Sequence, residues 1–590
     1  MIAPLLWLLA CTQPAPAPPA PPAPVAVPAG VPMPTYTLTF PDGARHRIHV
    51  RAEAPSGCGE WWMPVWIPGS YVLREFARNV TEVAAHGPDG ALPVTKVAKN
   101  RWRVDCEAGP VVLTYQLYAN ELSVRTNHVD GDGMVLNPAA TVLVPDGTAQ
   151  GPFAWRVVSD LPGPYTALSE RAPGELVAAD LDELVDSPML LGDSHVSTFE
   201  VAGVSHRLVT RGGRGLWDHA RAADDVRKIT EAQHALFGAF PYGDYVFLNA
   251  ALGGRGGLEH DESTLILADP WATRSDDTYR SWLGIVSHEL FHAWNVKAIR
   301  PEMLGPFDYE REVYTRELWI AEGFTSYYDD VFLLRAGLID EEAWLEAMSK
   351  NIRRVAADPG HLVMPLADAS FDAWTEYYRQ DADSPNQAIS YYLKGAVVAW
   401  LLDTEMRRRT EGARSLDDVL RAAWPRFADT GYDSTAFRAL ISEVAGSDME
   451  PWLAAHVDRA EPLELQPALD WWGLQTKPPG KVKPWLGLRT RTDDDRVFVK
   501  AVLQGGPGWQ AGVQPDDELV AVNGWRVDGG HDRLQGVAPG ELLAVTVARR
   551  GQLRELTVVA AQAPDEVHLQ IDEEAPLATG RRRAAFAGQP

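Results

Sequence analysis

Two short stretches decide the fold of the central part of this 590-residue chain: His288-Glu289-Leu290-Phe291-His292, and Leu318-Trp319-Ile320-Ala321-Glu322-Gly323-Phe324. The first lies in a run with helical spacing over 279–296. Two histidines four residues apart project from the same side of a helix, one turn apart, so their ring nitrogens can converge on one cation. Glu289, next to the first histidine, can then take a proton from water held at that cation.

The second stretch offers a third ligand. Glu322 is a carboxylate in an otherwise apolar helical segment, on the same face as Leu318 and Trp319. A buried, unpaired carboxylate is costly, so we expect it to be paired or bound to a metal. Two histidines and one glutamate leave a coordination position of zinc open for water. The sequence therefore predicts one Zn²⁺ per chain on His288, His292 and Glu322, with Glu289 as the base. The alternatives are a chance match to the histidine motif and a buried ion pair of Glu322 with Arg316 or Lys297.

The charge balance excludes some partners. A formal net charge of -26 disfavours nucleic acid and anionic membrane surfaces, because binding to them requires an excess of Lys and Arg.

The first residues suggest export. The apolar run at 1–10 ends before Cys11, and a Pro/Ala tract extends to 34. This resembles a bacterial lipoprotein signal, although no Lys or Arg precedes the apolar run. It predicts a periplasmic or cell-surface protein that meets the membrane only through a lipid on Cys11.

The cysteine count and the segment patterns add two expectations. Cys58 and Cys106 form an even pair, either a disulfide in an oxidising compartment or two unrelated buried thiols. Short β-rich runs with Gly and Pro turns predict an antiparallel sandwich over 35–200. Helical spacing then predicts helices over 221–237, 279–296, 317–334, 341–355, 390–409, 416–427 and 434–444.

Several motifs in order carry a family resemblance. The zinc motif region HELFHAWNVKAIRP, at 288–301, is similar to that of the glycyl aminopeptidase family of metallopeptidases. Ala298 departs from it, because the family usually carries a basic residue there. The other matching segments are WIPGSY at 66–71, REFAR at 74–78, GGLEH at 256–260, EGFTSYY at 322–328 and YYLKG at 391–395.

The resemblance implies roles for further residues. Gly256, Gly257, Glu259 and His260 form a substrate-binding strand in which the glycines admit a close backbone and Glu259 holds the free α-amino group. Tyr392 is expected to hydrogen-bond the oxyanion, whereas Tyr391 faces elsewhere. His260, Asn295 and Asp329 are candidates for support of the metal ligands. The alternatives are a surface carboxylate at Glu259 and a core aromatic at Tyr392.

A second resemblance covers the carboxy-terminal part. The segments PWLGL at 484–488, GPGWQAGV at 506–513 and DDELVAVNG at 516–524 resemble a PDZ domain. Leu486, Gly487 and Leu488 would offer backbone N–H groups to a chain-terminal carboxylate, and a bound peptide would add a strand to the domain. The alternative is a groove filled by the protein itself.

The resulting expectation is a multidomain α+β zinc aminopeptidase that removes a small first residue, Gly- or Ala-like, from peptides with a free amino terminus. An endopeptidase on the same site, or a catalytically silent peptide-binding protein, are the alternatives. The predicted divisions are a lipoprotein-type signal and linker (1–34), an N-terminal β domain (35–200), a thermolysin-like domain (201–336), a helical domain (337–477), a PDZ domain (478–562) and a disordered tail (563–590).

Overall fold

The computed structural model describes residues 31–428, 430–477, 483–528, 534–564 and 566–588, together with Pro19 and Val27. The predicted export signal and Cys11 lie outside the described residues. The described chain is a multidomain α+β protein, as the sequence predicts. In the described part of the chain, no helix combines the length and apolar character needed to cross a membrane.

The first domain is rich in strands. Its main sheet has the order β13-β14-β12-β1-β2-β8-β4-β5, and smaller sheets have the orders β11-β3-β7-β6 and β15-β10-β9. The strands are β1 (Thr35–Thr39), β2 (Arg47–Ala54), β3 (Gly59–Trp62), β4 (Val80–Gly87), β5 (Gly90–Leu92), β6 (Val94–Ala98), β7 (Arg101–Val104), β8 (Val111–Tyr118), β9 (His128–Val129), β10 (Gly133–Leu136), β11 (Val144–Pro145), β12 (Phe153–Val158), β13 (Ser169–Ala172), β14 (Glu175–Ala178) and β15 (Met189–Gly192), with helix α1 at Leu181–Val185.

Two details refine the prediction for this domain. β1 pairs in parallel with β12, so the main sheet is mixed and not purely antiparallel. Cys58 and Cys106 are joined in a disulfide, which decides between the two alternatives and ties the start of β3 to the chain just after β7.

The second domain is built on a sheet in the order β16-β17-β18-β20-β19. Its first strand begins at Ser194, seven residues before the predicted boundary at 201, because β16 forms a hairpin with β17. The elements are β16 (Ser194–Val201), β17 (Val204–Gly212), α2 (His219–Phe237), β18 (Asp244–Ala251), β19 (Gly256–Glu259), β20 (Ser263–Leu267) and α3 (Asp276–Phe291).

Alternate residues of β18 explain where this sheet sits. Val246 and Leu248 belong to the core of the first domain, while Tyr245 and Phe247 belong to the core formed with the helices. Successive side chains of a strand point to opposite faces, so one strand contributes to both cores. The sheet is therefore buried between the N-terminal domain and the helices, and its edge strand β19 lies along α3.

A helical part completes the core. Its helices are α4 (Thr325–Arg335), α5 (Glu341–Ala356), α6 (Leu366–Phe371), α7 (Ser384–Gln387), α8 (Tyr391–Arg409), α9 (Leu416–Phe427), α10 (Ser434–Ala445), α11 (Glu450–Val457) and α12 (Gln466–Trp472). Two π-helical turns lie at Ala293–Ala298 and Trp319–Phe324. Short 3₁₀ turns lie at Gly43–Arg45, Phe76–Asn79, Pro138–Ala140, Ala272–Arg274, Glu302–Leu304, Pro359–Leu362 and Asp372–Trp374.

The carboxy-terminal domain contains a sheet in the order β23-β24-β25-β27-β28, with β26 paired to β25. Asn386 attaches this domain to the helical part, since its side chain donates to the Val502 carbonyl at 2.9 Å and accepts from Gln504 N–H at 2.8 Å. The elements are β21 (Leu474–Thr476), β22 (Pro484–Trp485), β23 (Leu488–Asp493), β24 (Arg496–Val502), α13 (Pro507–Gln510), β25 (Glu518–Val522), β26 (Trp525–Arg526), β27 (Leu542–Arg549), β28 (Gln552–Val559), β29 (Ala561–Gln562), β30 (Leu569–Ile571) and α14 (Pro576–Phe586).

The described residues 566–588 of the predicted disordered tail contain a strand and a helix. β30 pairs with β21, and α14 packs against α12 and α4. Arg582 is almost fully buried, with hydrogen bonds to Glu341 and to the carbonyls of Trp472 and Gly473. Arg582 thus holds helix α14 against acceptors that lie more than a hundred residues away in the chain.

Candidate active site

His288 lies in the last turn of α3, and His292 directly follows the end of that helix. The centroids of the His288 and His292 rings are 4.7 Å apart, and His292 is buried. α3 ends at Phe291, and Asn295 and Val296 have non-helical dihedral angles. This unwinding turns the Asn295 carbonyl back toward His292, whose Nδ1 lies 2.8 Å from it.

Glu322 meets both histidines. Its Oε2 lies 3.3 Å from His288 Nε2 and 3.1 Å from His292 Nε2. It lies on the π-helical turn at Trp319–Phe324, and such turns are frequent at functional sites. The proposed alternative of an ion pair does not apply, because Arg316 pairs with Asp368 and Lys297 with Asp186.

Two glycines allow this approach. A Cβ atom on Gly323 would lie 2.6 Å from the Cα of Gly395, and a Cβ on Gly395 would lie 2.8 Å from the Cα of Gly323. The turn that carries Glu322 therefore crosses α8 with backbone against backbone. The same crossing brings Tyr392, at the start of α8, to the histidines.

The second nitrogen of each imidazole is also held. Asp329 Oδ2 lies 3.2 Å from His288 Nδ1, and the Asn295 carbonyl holds His292. The side-chain amide of Asn295 donates to the Ile320 and Ala321 carbonyls, which ties the unwound segment to the turn of Glu322. Asp329 and Asn295 thus occupy the supporting positions expected from the sequence, with Asn295 acting on His292 through its backbone.

The electrostatics fit a cation at the centre. Burial raises the pKa of Glu289 to about 7. Burial alone would also raise the pKa of Glu322, but the two imidazoles outweigh it and lower that pKa below its usual range. One ligand atom from each of His288, His292 and Glu322 lies within 4.8 Å of the others. Two imidazole nitrogens and one carboxylate oxygen that converge in this way fit a zinc ion with an open position.

Glu259 ends the edge strand β19 and faces the same space. Its side chain is 5% exposed, and it has no hydrogen-bond or ion-pair partner among the described residues. A carboxylate oxygen of Glu259 lies within 4.8 Å of one from Glu289 and of a His292 nitrogen. A Cβ on Gly69 would lie 2.5 Å from the Glu259 carboxylate, so the N-terminal domain covers this group directly.

The glycines of β19 lie against the base. A Cβ on Gly257 would lie 2.1 Å from Glu289 Oε1, so any other residue at this position would displace that carboxylate. β19 pairs with β20 on one side and leaves its other edge toward the cavity, where Gly256 and Gly257 line the wall. An unpaired strand edge can receive an extended peptide through main-chain hydrogen bonds.

Tyr392 belongs to an aromatic cluster beside the histidines. Its ring is stacked over His288 with centroids 6.2 Å apart, and it also stacks on Tyr377 at 5.5 Å. Tyr392 lines the cavity, whereas Tyr391 is fully buried behind it. The two tyrosines therefore face different ways, as the sequence predicts.

His260 does not lie where the sequence places it. It is not one of the residues that line the cavity, and its Nδ1 lies 3.0 Å from Asp186 Oδ1. Lys297 donates to the same carboxylate at 2.7 Å. Asp186 comes from the first domain, so this buried group joins the two domains and does not contact the metal ligands. The strand alternation explains the difference, since Glu259 and His260 point to opposite faces.

The predicted carboxylate loop of the last domain is folded tightly. The carbonyls of Leu486 and Gly487 accept from Gly508 N–H and Leu503 N–H, both at 2.8 Å. The N–H groups of Leu486 and Gly487 have no backbone acceptor in the described part of the chain. Leu488 begins β23, which is the edge strand of its sheet.

The cavity that contains these groups has a volume of about 490 Å³. The predicted residues that line it are Gly256, Gly257, Glu259, His288, Glu289, His292, Glu322 and Tyr392. Residues that sequence reasoning missed also line it: Gly69, Arg125, Arg255, Ile285, Tyr377 and Tyr378. Gly69 lies in the WIPGSY segment that the resemblance singled out, but nothing near Arg125 in the sequence marks it as part of this cavity.

Comparison with known families agrees with these positions. A family model described as M61 glycyl aminopeptidase matches residues 281–398, and one described as the peptidase M61 N-terminal domain matches 35–193. A PDZ domain model matches 498–549.

Solved structures give a similar result. The crystal structure of an aminopeptidase N family protein from Idiomarina loihiensis superimposes with a TM-score of 0.88 and 28% identity, over 92% of this chain and 99% of that chain. An M1 zinc metallopeptidase from Deinococcus radiodurans has a TM-score of 0.46 and 16% identity, over 74% of this chain and 95% of that chain.

Among curated proteins, the chain matches a probable periplasmic serine endoprotease, DegP-like, from Brucella suis. The match is 32% identical over 100 residues, or 16% of this chain. It spans only 19% of that protein, so the chain shares a segment with it and not its whole architecture.

Proposed function

We propose that the chain is a zinc aminopeptidase of the M61 glycyl aminopeptidase family and that it removes a small first residue from peptides with a free amino terminus. The observation that carries the proposal is Glu259, a nearly buried carboxylate without a counter-ion among the described residues, beside the base Glu289. A carboxylate in this setting needs a cation. The α-ammonium group of a peptide supplies one at the spacing of a single residue from the reacting carbonyl.

The residues His288, His292 and Glu322 would hold the zinc ion. When bound, zinc supplies Lewis-acid chemistry, because it polarises a carbonyl oxygen and acidifies water. Asp329 and the Asn295 carbonyl keep the two imidazoles oriented with Nε2 toward Glu322. Ligating imidazoles commonly donate their other N–H in this way.

The remaining chemistry belongs to side chains of the cavity. Glu259 holds the ammonium group and the free edge of β19 aligns the peptide backbone, so the scissile carbonyl faces Glu289. Glu289 takes a proton from the attacking water and delivers it to the leaving amine. The Tyr392 hydroxyl donates a hydrogen bond to the carbonyl oxygen as negative charge develops on it.

One contact supports the proposed preference for a small first residue. Gly69 presses on the Glu259 carboxylate from the N-terminal domain, and its φ of 80° favours glycine. A backbone this close to the carboxylate limits the space beside the ammonium group that Glu259 would hold. We expect glycine and alanine to be accepted there and bulky residues to be rejected.

The test compares substrates that differ only at the amino end. We expect hydrolysis of glycyl and alanyl chromogenic amides that a chelator abolishes, with no cleavage of the same compounds after acetylation. Cleavage of blocked peptides alone would favour an endopeptidase, and no chelator-sensitive activity would favour a silent peptide-binding protein.

A variant of the base gives a second test. Glu289→Gln should lose turnover but keep zinc, and full activity of that variant would exclude Glu289 as the base.

Two further parts of the proposal concern location and the last domain. Export with a lipid on Cys11 agrees with the Cys58–Cys106 disulfide, because disulfides persist in oxidising compartments. The open N–H groups of Leu486 and Gly487, next to the edge strand β23, support binding of a peptide carboxylate by the PDZ domain.

A further inference from the structure

Arg125 is a cation in the cavity without an ion-pair partner in the described part of the chain. It lies on the loop between β8 and β9 of the N-terminal domain and lines the cavity together with the metal ligands. No carboxylate of the described residues lies within ion-pair distance of its guanidinium group. Its Nε is shielded from solvent and has no hydrogen-bond acceptor among those residues.

The surroundings make this lack of a partner costly. The neighbouring guanidinium of Arg74 is also half-buried, and burial together with Arg125 lowers the pKa of Arg74 to about 10. Arg74 donates to Ser70 Oγ at 2.7 Å and not to an acid. In a chain with 80 acidic and 54 basic residues, the fold has nevertheless placed two cations together. Such an arrangement is stable when an anion arrives, because charge-assisted hydrogen bonds to Arg are strong and directional.

The groups around Arg125 indicate which kind of anion it would bind. Arg125 acts electrostatically on Tyr377 and Tyr378; burial raises the pKa of Tyr378 to about 12, and Arg125 opposes that rise. Tyr377 stacks on Tyr392, and Tyr378 packs against Tyr377. Because Arg125 lines the same cavity as Glu259 and Tyr392, a peptide with its ammonium group at Glu259 and its carbonyl at Tyr392 can continue along Tyr377 and Tyr378 to Arg125.

We propose that Arg125 binds a carboxylate of the substrate beyond the scissile bond and so gives the enzyme a preference for peptides that carry a negative charge there. The inference rests on the proposed aminopeptidase function. The carboxylate can be the free α-carboxylate of a dipeptide or an acidic side chain of the second residue. Both present two oxygens to the planar fork of the guanidinium.

The experiment measures kcat/KM of the zinc-loaded full chain for four substrates: Ala-Ala, Ala-Ala-NH₂, Ala-Asp-NH₂ and Ala-Asn-NH₂. In one of the two pairs, Ala-Ala against Ala-Ala-NH₂ or Ala-Asp-NH₂ against Ala-Asn-NH₂, we expect kcat/KM to be roughly 10- to 100-fold higher for the acid. Most of the difference should lie in KM, because a hydrogen bond to a charged group contributes binding energy of this size. Preference for Ala-Ala over its amide identifies the α-carboxylate, and preference for Asp over Asn identifies the side chain.

Arg125→Gln should abolish that preference while cleavage of the neutral amides stays within about three-fold. Arg125→Lys should retain part of it, because the charge remains but the fork is lost. Arg255→Gln is the matched control: Arg255 lines the same cavity but is exposed, so solvent screens its charge and the preference should stay.

Equal rates on acids and amides in the unaltered protein would overturn the inference without any variant. An unchanged preference in Arg125→Gln would overturn it as well. These results differ from failure of the proposed function, in which none of the four substrates is cleaved and amino-blocked peptides are.

Discussion

The contact between Gly323 and Gly395 yields a sharp prediction about the metal site. Replacement of Gly323 by alanine adds one methyl group to the turn that carries Glu322. That methyl would lie 2.6 Å from the Gly395 Cα and 3.1 Å from the Tyr391 carbonyl. Both atoms belong to the backbone of α8, so no side chain can rotate away.

The size of the effect follows from these distances. Ordinary contacts of a Cβ begin at 3.4 Å, so α8 and the turn must separate by about 0.8 Å, the difference from 2.6 Å. Over-packing of this kind costs about 1–3 kcal/mol, while alanine in place of a helical glycine contributes about 0.5–1 kcal/mol. The free energy of unfolding should therefore fall by up to about 2.5 kcal/mol. A shift of nearly 1 Å at Glu322 and Tyr392 should lower kcat/KM by about 100-fold.

The control is Gly284→Ala in the middle of α3, where an added Cβ meets no atom within 4 Å. It should stabilise the protein by about 0.5–1 kcal/mol and leave activity near the original value. Chemical denaturation, zinc content and kcat/KM on an alanyl substrate measure the three quantities. Gly323→Ala with unaltered stability, zinc content and turnover would refute the reasoning about the crossing.

Three other predictions concern single side chains. Asp329→Ala removes the acceptor of the His288 Nδ1–H group and should weaken zinc affinity by about 10- to 100-fold, measured by competition with a chelator. An unchanged affinity would mean that Asp329 does not support His288 as a ligand. Tyr392→Phe should lower kcat by about 100- to 1,000-fold with zinc retained, because the hydroxyl that faces the oxyanion is lost. Tyr391→Phe, at the buried neighbour, should have little effect. Equal losses in the two variants would mean that Tyr392 acts by packing and not through its hydroxyl. Burial lowers the pKa of Lys394 from 10.5 to about 8 in the folded chain. Between these two pH values the unfolded chain binds more protons than the folded chain. The free energy of unfolding should therefore rise with pH in this range. Lys394→Met should flatten that rise in denaturation curves measured across this range, and an identical slope would contradict the effect of burial.

The sequence by itself determined the parts of the site that depend on local periodicity. His288 and His292 meet because four residues make one helical turn, and Glu322 stood out because a carboxylate in an apolar helix needs a partner. The order of motifs indicated the domains, and the structure places β strands, helices and the PDZ-like domain in that order. Strand alternation also places Glu259 and His260 on opposite faces, so only one of the two faces the cavity.

Tertiary structure alone decided which distant groups share the cavity. Glu322 reaches the histidines only because Gly323 and Gly395, 72 positions apart, let two backbones touch. Gly69 covers Glu259 from another domain, and Arg125 enters from a loop without any local signal. The same limit explains the tail, where Arg582 is held by acceptors far away in the chain. Periodicity reports only on neighbours within a few turns, whereas burial and charge pairing depend on what the fold brings near.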